Sequence, residues 1–157
     1  MEQIEEKIAP YKQLVRVGKP CSDEDIETLA KKLNTPIPNT LKSYLLKWGI
    51  FSFDSETFYG LTEKKFEAKS APCIYFLTLQ ARQRGDISKD MIKIKSSGYG
   101  PSFCIDMSKV DENKEGVVVE VPLSYKRDGI ATIVANNFEE FLKEEIEYVI
   151  EDLEDEN

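Results

Sequence analysis

Histidine is absent from this chain of 157 residues. Its absence excludes Ser-His-Asp and Cys-His nucleophilic catalysis, together with every metal site that needs an imidazole. Cysteine is scarce: Cys21, Cys73 and Cys104 are odd in number and far apart. That argues against a disulfide framework and against zinc, whose ligands come in close pairs. No apolar run approaches the ~20 residues that a membrane span needs. The opening MEQIEEKIAPYK is acidic and amphipathic, the opposite of a signal peptide's basic head and apolar core. Excess positive charge is lacking too, so direct binding to a phosphate backbone is not expected. The expectation is a cytoplasmic protein with no metal, no cofactor and no membrane attachment. Ser-Lys or carboxylate-pair chemistry stays formally open, but almost any chain offers those residues, and no enzyme is expected.

What is present fits one globular domain over residues 1–157, able to bury about two-thirds of its unfolded surface. Hydrophobic residues make up 41% and charged residues 32%, a balance usual for a folded domain. The net charge of −8 is unevenly spread. From Glu139 to Asn157 there are ten acids and one base, Lys143, so this segment carries −9 and the preceding 138 residues +1. The acidity therefore belongs to a C-terminal helix and an acidic tail at 152–157. A solvated helix face accounts for it most simply, and a basic protein partner is the alternative.

The stretch from Ser22 to Leu61 organises the rest. Ser22 is a good N-cap, with acids at 23, 24, 25 and 27 at the positive end of the helix dipole. Ile26, Leu29, Ala30 and Leu33 recur at one-turn spacing. Asn34 and Thr35 stop this helix, and Pro36-Ile37-Pro38 forces an extended bend. Asn39 is read as the cap of a second helix carrying Leu41, Tyr44, Leu45 and Trp48, which Gly49 ends. Two aromatic runs, Ile50–Phe53 and Thr57–Leu61, flank the polar turn Asp54-Ser55-Glu56, as in a hairpin.

Before this stretch, residues 1–20 read as a leading helical segment broken at Pro10. After it, Ser70 is read as the cap of a helix running through Arg84 to Gly85, with Pro72 in its first turn. Alternation then replaces helical spacing. Ile92 and Ile94 are expected to face inward and Lys93 and Lys95 outward. Gly98-Tyr99-Gly100 lacks the ending of a phosphate loop and lies between strands, so it reads as a hairpin turn. Phe103 and Ile105 alternate with Cys104 and Asp106, and Cys104 reads as a small buried hydrophobe. Val117, Val119 and Val121 face in, Glu120 out, residues 122–129 form a loop, and Ile130–Ala135 is a short strand. Asn136 or Asn137 caps a last helix striped by Phe138, Phe141, Leu142, Ile146, Val149, Ile150 and Leu153. The sum is α+β: an antiparallel β-sheet flanked by helices.

The order of these motifs resembles the SUKH superfamily, which includes cell-wall-regulator (Smi/Knr-type) proteins and many bacterial immunity proteins. An acidic cap leads into I-x-x-L-x-x-x-L, a proline corner, a helix ending L-L-K-W-G and an aromatic strand ending Y-G-L. Further on come Phe103-Cys104-Ile105-Asp106, the Val-rich Gly116–Val121, and a closing helix with Asn137-Phe138-Glu139-Glu140-Phe141-Leu142. The resemblance covers roughly Ser22 to Leu142 and implies the same α+β architecture. It also implies a non-catalytic immunity protein that binds and neutralises a cognate protein toxin, often a nuclease, in the producing cell. Such toxins are commonly basic, and an acidic partner gains on-rate by steering. An intracellular regulator of the cell-wall type is the alternative. The expected contacts are polar and aromatic residues on loops and strand ends: Asp54, Glu56, Tyr59, Tyr99, Asp106, Glu120 and Tyr125.

Overall fold

The computed structural model describes residues 1–156. Ser22 and Asp25 close a reciprocal cap on helix α2 (Asp23–Leu33): Ser22 Oγ accepts the Asp25 N–H and Asp25 Oδ2 accepts the Ser22 N–H. That backbone donor is the main reason the Asp25 carboxyl sits below the usual carboxylate range. Asn34 ends α2 in the left-handed region, which asparagine tolerates. Helix α3 (Asn39–Trp48) follows the extended Pro38, and Gly49 ends it at φ 71°.

The expected Asn39 cap does not form. Pro38 occupies that position, and the donor is satisfied from far away: Glu115 accepts the Thr40 N–H at 3.1 Å and the Thr40 hydroxyl at 2.7 Å. Ser70 likewise caps nothing. The Gly60 N–H bonds the Pro72 carbonyl and the Gly60 carbonyl accepts the Ile74 N–H. These bonds hold residues 72–74 alongside Gly60, so α4 (Ile74–Arg84) begins only after Cys73.

The leading segment is helical only in part. Helix α1 (Glu2–Ile8) passes into a 3₁₀ turn at Pro10 and then into strand β1 (Val15–Val17). β1 pairs with β2 (Phe51–Phe53), which pairs with β3 (Glu56–Phe58). Glu56 thus opens a strand, and the turn is Asp54-Ser55. A second antiparallel sheet follows in the order β4 (Met91–Ser96), β5 (Ser102–Val110), β6 (Gly116–Val121) and β7 (Thr132–Ala135). The Tyr59 N–H to the Ile94 carbonyl, at 2.9 Å, connects the two sheets. Helix α5 (Tyr125–Asp128) interrupts the expected loop, and α6 (Phe138–Asp155), capped by Asn137, closes the fold. The expected acidic tail is helix as far as Asp155, because Val149, Ile150 and Leu153 still pack on the core; Asn157 lies outside the described residues.

The main core lies between the helices and one face of the second sheet, with Tyr44 near its centre. Its hydroxyl accepts the Phe51 N–H and faces the Phe58 and Tyr59 carbonyls, so one side chain ties α3 to both strands of the hairpin. Full burial pushes its pKa upward and keeps it neutral. A smaller cluster on the opposite sheet face holds Ala81, Ile87, Met91, Cys104, Val119 and Val121. Both faces of this sheet are therefore covered, which is why Val118 and Val119 are both buried.

At the end of α3 the segments around Lys19, Gly49 and Gly60 approach one another with no room for a side chain. A Cβ on Gly60 would lie 1.6 Å from the Gly49 carbonyl oxygen, and one on Gly49 would lie 2.1 Å from that of Lys19. On the far side of α2, the Arg82 guanidinium donates to the Leu33 carbonyl (2.6 Å), the Thr35 hydroxyl (3.0 Å) and, twice, the Met91 carbonyl.

Candidate partner-binding surface

Strand β4 departs from simple alternation at one residue. Lys93 lies opposite Cys104 and Lys95 opposite Phe103, so Ile94 is an extra residue in the ladder. Such a bulge re-aims the side chain after it. Lys93 stays on the smaller cluster's face, whereas Lys95 turns onto the face of Ile92 and is only 4% exposed. The expected outward basic pair is therefore split. Lys95 Nζ bonds Glu56 Oε2 at 2.9 Å and Glu145 Oε1 at 3.2 Å. It also lies 5.7 Å and 5.5 Å from the ring centres of Phe58 and Phe103. One cation thus joins β3, β4, β5 and α6.

Across the sheet, Phe103 pairs with Glu120, and Glu120 with Thr132, so Lys95, Phe103, Glu120 and Thr132 form one row. The Phe103 ring is anchored by Phe141 of α6, with centres 5.1 Å apart. Tyr99, at the tip of the β4–β5 hairpin and 76% exposed, swings its hydroxyl to within 3.4 Å of Glu120 Oε1. The result is a rim of three carboxylates, Glu56, Glu120 and Glu145, and an exposed tyrosine over a buried lysine. Beside it runs the acidic side of α6. There partial burial and then Glu140, Glu147 and Glu145 hold the Glu144 carboxyl above its ordinary pKa, a sign of accumulated like charge.

Replacing Lys95 by methionine keeps the apolar stem but leaves two carboxylates without their cation. The expected cost is about 1–3 kcal/mol. Adding Glu145→Gln should recover part of it, which a double-mutant cycle by urea denaturation would measure; strictly additive effects would show that the pair is not coupled.

Comparison with protein-family models finds a match over residues 23–142 to the family SUKH_6, described as SMI1-KNR4 cell-wall. The chain belongs to the SUKH superfamily. No curated protein matches it. Within this SUKH chain the matched residues run from the first turn of α2 to Leu142 in α6. They include Glu56, Lys95, Tyr99, Phe103 and Glu120, whereas Glu145, α1 and β1 lie outside them.

The SUKH fold brings only part of the expected contact set together. Glu56, Tyr99 and Glu120 share the rim. Tyr59, expected at the surface, is 8% exposed and sits beneath it, its hydroxyl pKa raised by burial against an opposing hydrogen bond from Ser96. Its buried position follows from the backbone bond to Ile94, which draws residue 59 in between the sheets. Asp54 occupies the hairpin turn at φ 54°, next to Leu14. Asp106 lies mid-strand in β5, three residues on from Phe103 and paired with Met91, and its Oδ1 accepts the Ser108 N–H. Tyr125 packs half-buried against the smaller cluster, on the opposite face. Sequence reasoning missed Lys95, Glu145 and Leu123, the last 77% exposed next to the hairpin tip. An exposed leucine after Pro122 was the available signal for Leu123; no local signal marks the other two. Burial pushes the Cys21 thiol up to about 11 and the Cys104 thiol up to about 12, away from the thiolate form that reacts.

Proposed function

We propose that this SUKH protein is a non-catalytic immunity protein, and that the rim around Lys95 binds a basic cognate toxin in the cytoplasm of the producing cell. The observation that carries the reading is the placement of Glu56, Glu120 and Glu145 on strands and a helix joined by Lys95 and Phe103, with Tyr99 at the adjoining hairpin tip. An exposed aromatic stands beside carboxylates, a composition suited to a protein contact. The like charge along α6 favours a partner rich in lysine and arginine and would steer its approach. Neutralisation is then stoichiometric: an interface of roughly 1,200–2,000 Å² covers or distorts the toxin's active site. A nuclease fits the electrostatics, since nucleases carry basic grooves for phosphate.

The test is capture by tagged protein from its native cells, repeated as salt rises from about 0.05 to about 0.5 M. The expected result is one near-stoichiometric basic protein whose retention falls with salt. Tyr99→Ala with Glu120→Lys should weaken it at least tenfold, whereas Glu27→Lys on exposed α2 removes the same charge and should leave it intact. Equal loss in both variants would make the effect one of net charge and would remove the rim from the proposal. The description of the matched family as cell-wall favours a second reading, a regulator that binds enzymes of wall synthesis, and their recovery in place of a toxin would select it.

A further inference from the structure

Strand β1 is the outer strand of the three-stranded sheet, and no strand pairs with its far side among the described residues. Its register fixes what that side offers. The Gly18 N–H bonds the Ile50 carbonyl and the Asp54 N–H bonds the Leu14 carbonyl, each at 2.9 Å. Arg16, midway between them and opposite Ser52, therefore aims its backbone groups at β2, while Val15 and Val17 aim theirs outward. The Val15 N–H turns back to the Lys12 carbonyl. The Val15 carbonyl and both backbone groups of Val17 remain for an added strand, and Val17 is 53% exposed.

The side chains give this edge two different faces. Val15 and Val17 lie opposite Phe53 and Phe51, which are fully buried, so both valines face the core side. There Val15 borders a cleft of about 310 Å³ with Glu5, Ile8, Ala9, Lys12 and Trp48. Arg16 stands on the other face, in a shallow hollow with Ser52, Asp54 and Thr57. No acid occurs between Lys7 and Ser22. Neither Lys12 nor Arg16 is ion-paired among the described residues: Glu5 is held by Lys47 at 2.6 Å, and Asp54 does not reach Arg16. The chain is acidic overall, yet this edge carries two cations without a counter-ion.

We infer that the free edge of β1 is a second docking site, which takes up an extended segment of another protein that alternates apolar and acidic residues. Main-chain bonds to Val15 and Val17 add the segment as a fourth strand of the sheet. Its residues opposite Val15 and Val17 share their face, so apolar side chains there enter the cleft beside Trp48. The residue between them lies opposite Arg16, where a carboxylate meets the guanidinium. Short length and an exposed charge protect an edge from indiscriminate pairing, so a bound segment must match both faces. A segment rich in lysine does not, because it meets Lys12 and Arg16. β1 belongs to the other sheet from the rim and lies outside the residues matched to the family. The inference does not depend on the immunity reading.

Trp48 is the only tryptophan and lines the cleft, so its fluorescence reads occupancy directly. The probes are two capped hexapeptides, one alternating valine with glutamate and one alternating valine with lysine. Each is titrated into the intact chain up to about 2 mM. The expected result is a saturable change with the glutamate peptide, with a dissociation constant on the order of 100 µM, and at least tenfold weaker binding of the lysine peptide. The net charge of −8 would by itself favour the opposite order. Arg16→Glu, at an exposed side chain, should reverse the preference at an unchanged denaturation midpoint. Val17→Pro removes an outward N–H, a change that edge strands tolerate, and should weaken the glutamate peptide at least tenfold. No saturable change, an equal response to both peptides, or a preference indifferent to Arg16→Glu would each overturn the inference.

Discussion

Gly60→Ala is expected to leave no folded protein. The added methyl would sit 1.6 Å from the Gly49 carbonyl oxygen and 2.7 Å from its carbon, so it meets backbone rather than a side chain that can rotate away. The Gly49 segment cannot retreat, because a Cβ there would itself lie 2.1 Å from Lys19. The crossing is also bonded on several sides: Leu61 N–H to Gly49, Gly60 N–H to Pro72, and Ile74 N–H to Gly60. Opening the crossing by an ångström or more would break these bonds in a buried place. The expected loss exceeds about 4 kcal/mol, a large part of the stability of an ordinary domain. Gly98→Ala is the control. Its φ of 86° imposes backbone strain of about 1–2 kcal/mol, but nothing lies within 4 Å of the new carbon. Circular dichroism and urea denaturation should show Gly98→Ala folded and Gly60→Ala not. A Gly60→Ala variant with a wild-type midpoint would refute the crossing geometry.

Arg82→Ala should be the next most damaging change, at about 3–5 kcal/mol. The guanidinium satisfies the last-turn carbonyl of α2 at Leu33, the Thr35 hydroxyl and the Met91 carbonyl at the start of β4. Removing it takes the charged donor from three buried acceptors at once; the Thr35 hydroxyl still donates to the Leu33 carbonyl, and each acceptor left buried without a donor costs about 1–3 kcal/mol. Burial lowers the Arg82 pKa, partly offset by Asp90, yet the group stays charged at any ordinary pH. Arg82→Lys should recover less than half of the loss, since one ammonium cannot span three acceptors with the geometry of a planar fork. For a domain of this size the alanine variant should melt roughly 6–20 °C lower by calorimetry. A change below about 1 kcal/mol would mean that solvent replaces the fork freely.

Local signals in the sequence were enough for the elements whose ends are set locally. Ser22 with Asp25, Asn34, Gly49 and Asn137 act on amides or φ angles within three residues, so their positions in the sequence predict their roles. Asn39 and Ser70 had the same signals and failed because distant groups, Glu115 and Gly60, took over the backbone they would have served. Strand β1 is only three residues long and earns its pairing from β2 rather than from its own pattern. Lys95 shows the limit of alternation: one extra residue, Ile94, moved a lysine from the smaller cluster's face to the main core's face. The rim was legible only as separate exposed residues. Its organising cation and the helix that completes it come together through tertiary contacts, which no single stretch encodes.

The cap that Glu115 provides for α3 has a consequence for synthesis. The carboxylate lies 75 residues downstream of Thr40, so during translation at about 5–20 residues per second α3 emerges roughly 4–15 s before its cap exists. Through that interval the Thr40 N–H is left to water, and the first turn of α3 gains this cap, worth about 0.5–2 kcal/mol, only when the β5–β6 loop arrives. The start of α3 is thus completed by two segments made far apart in time.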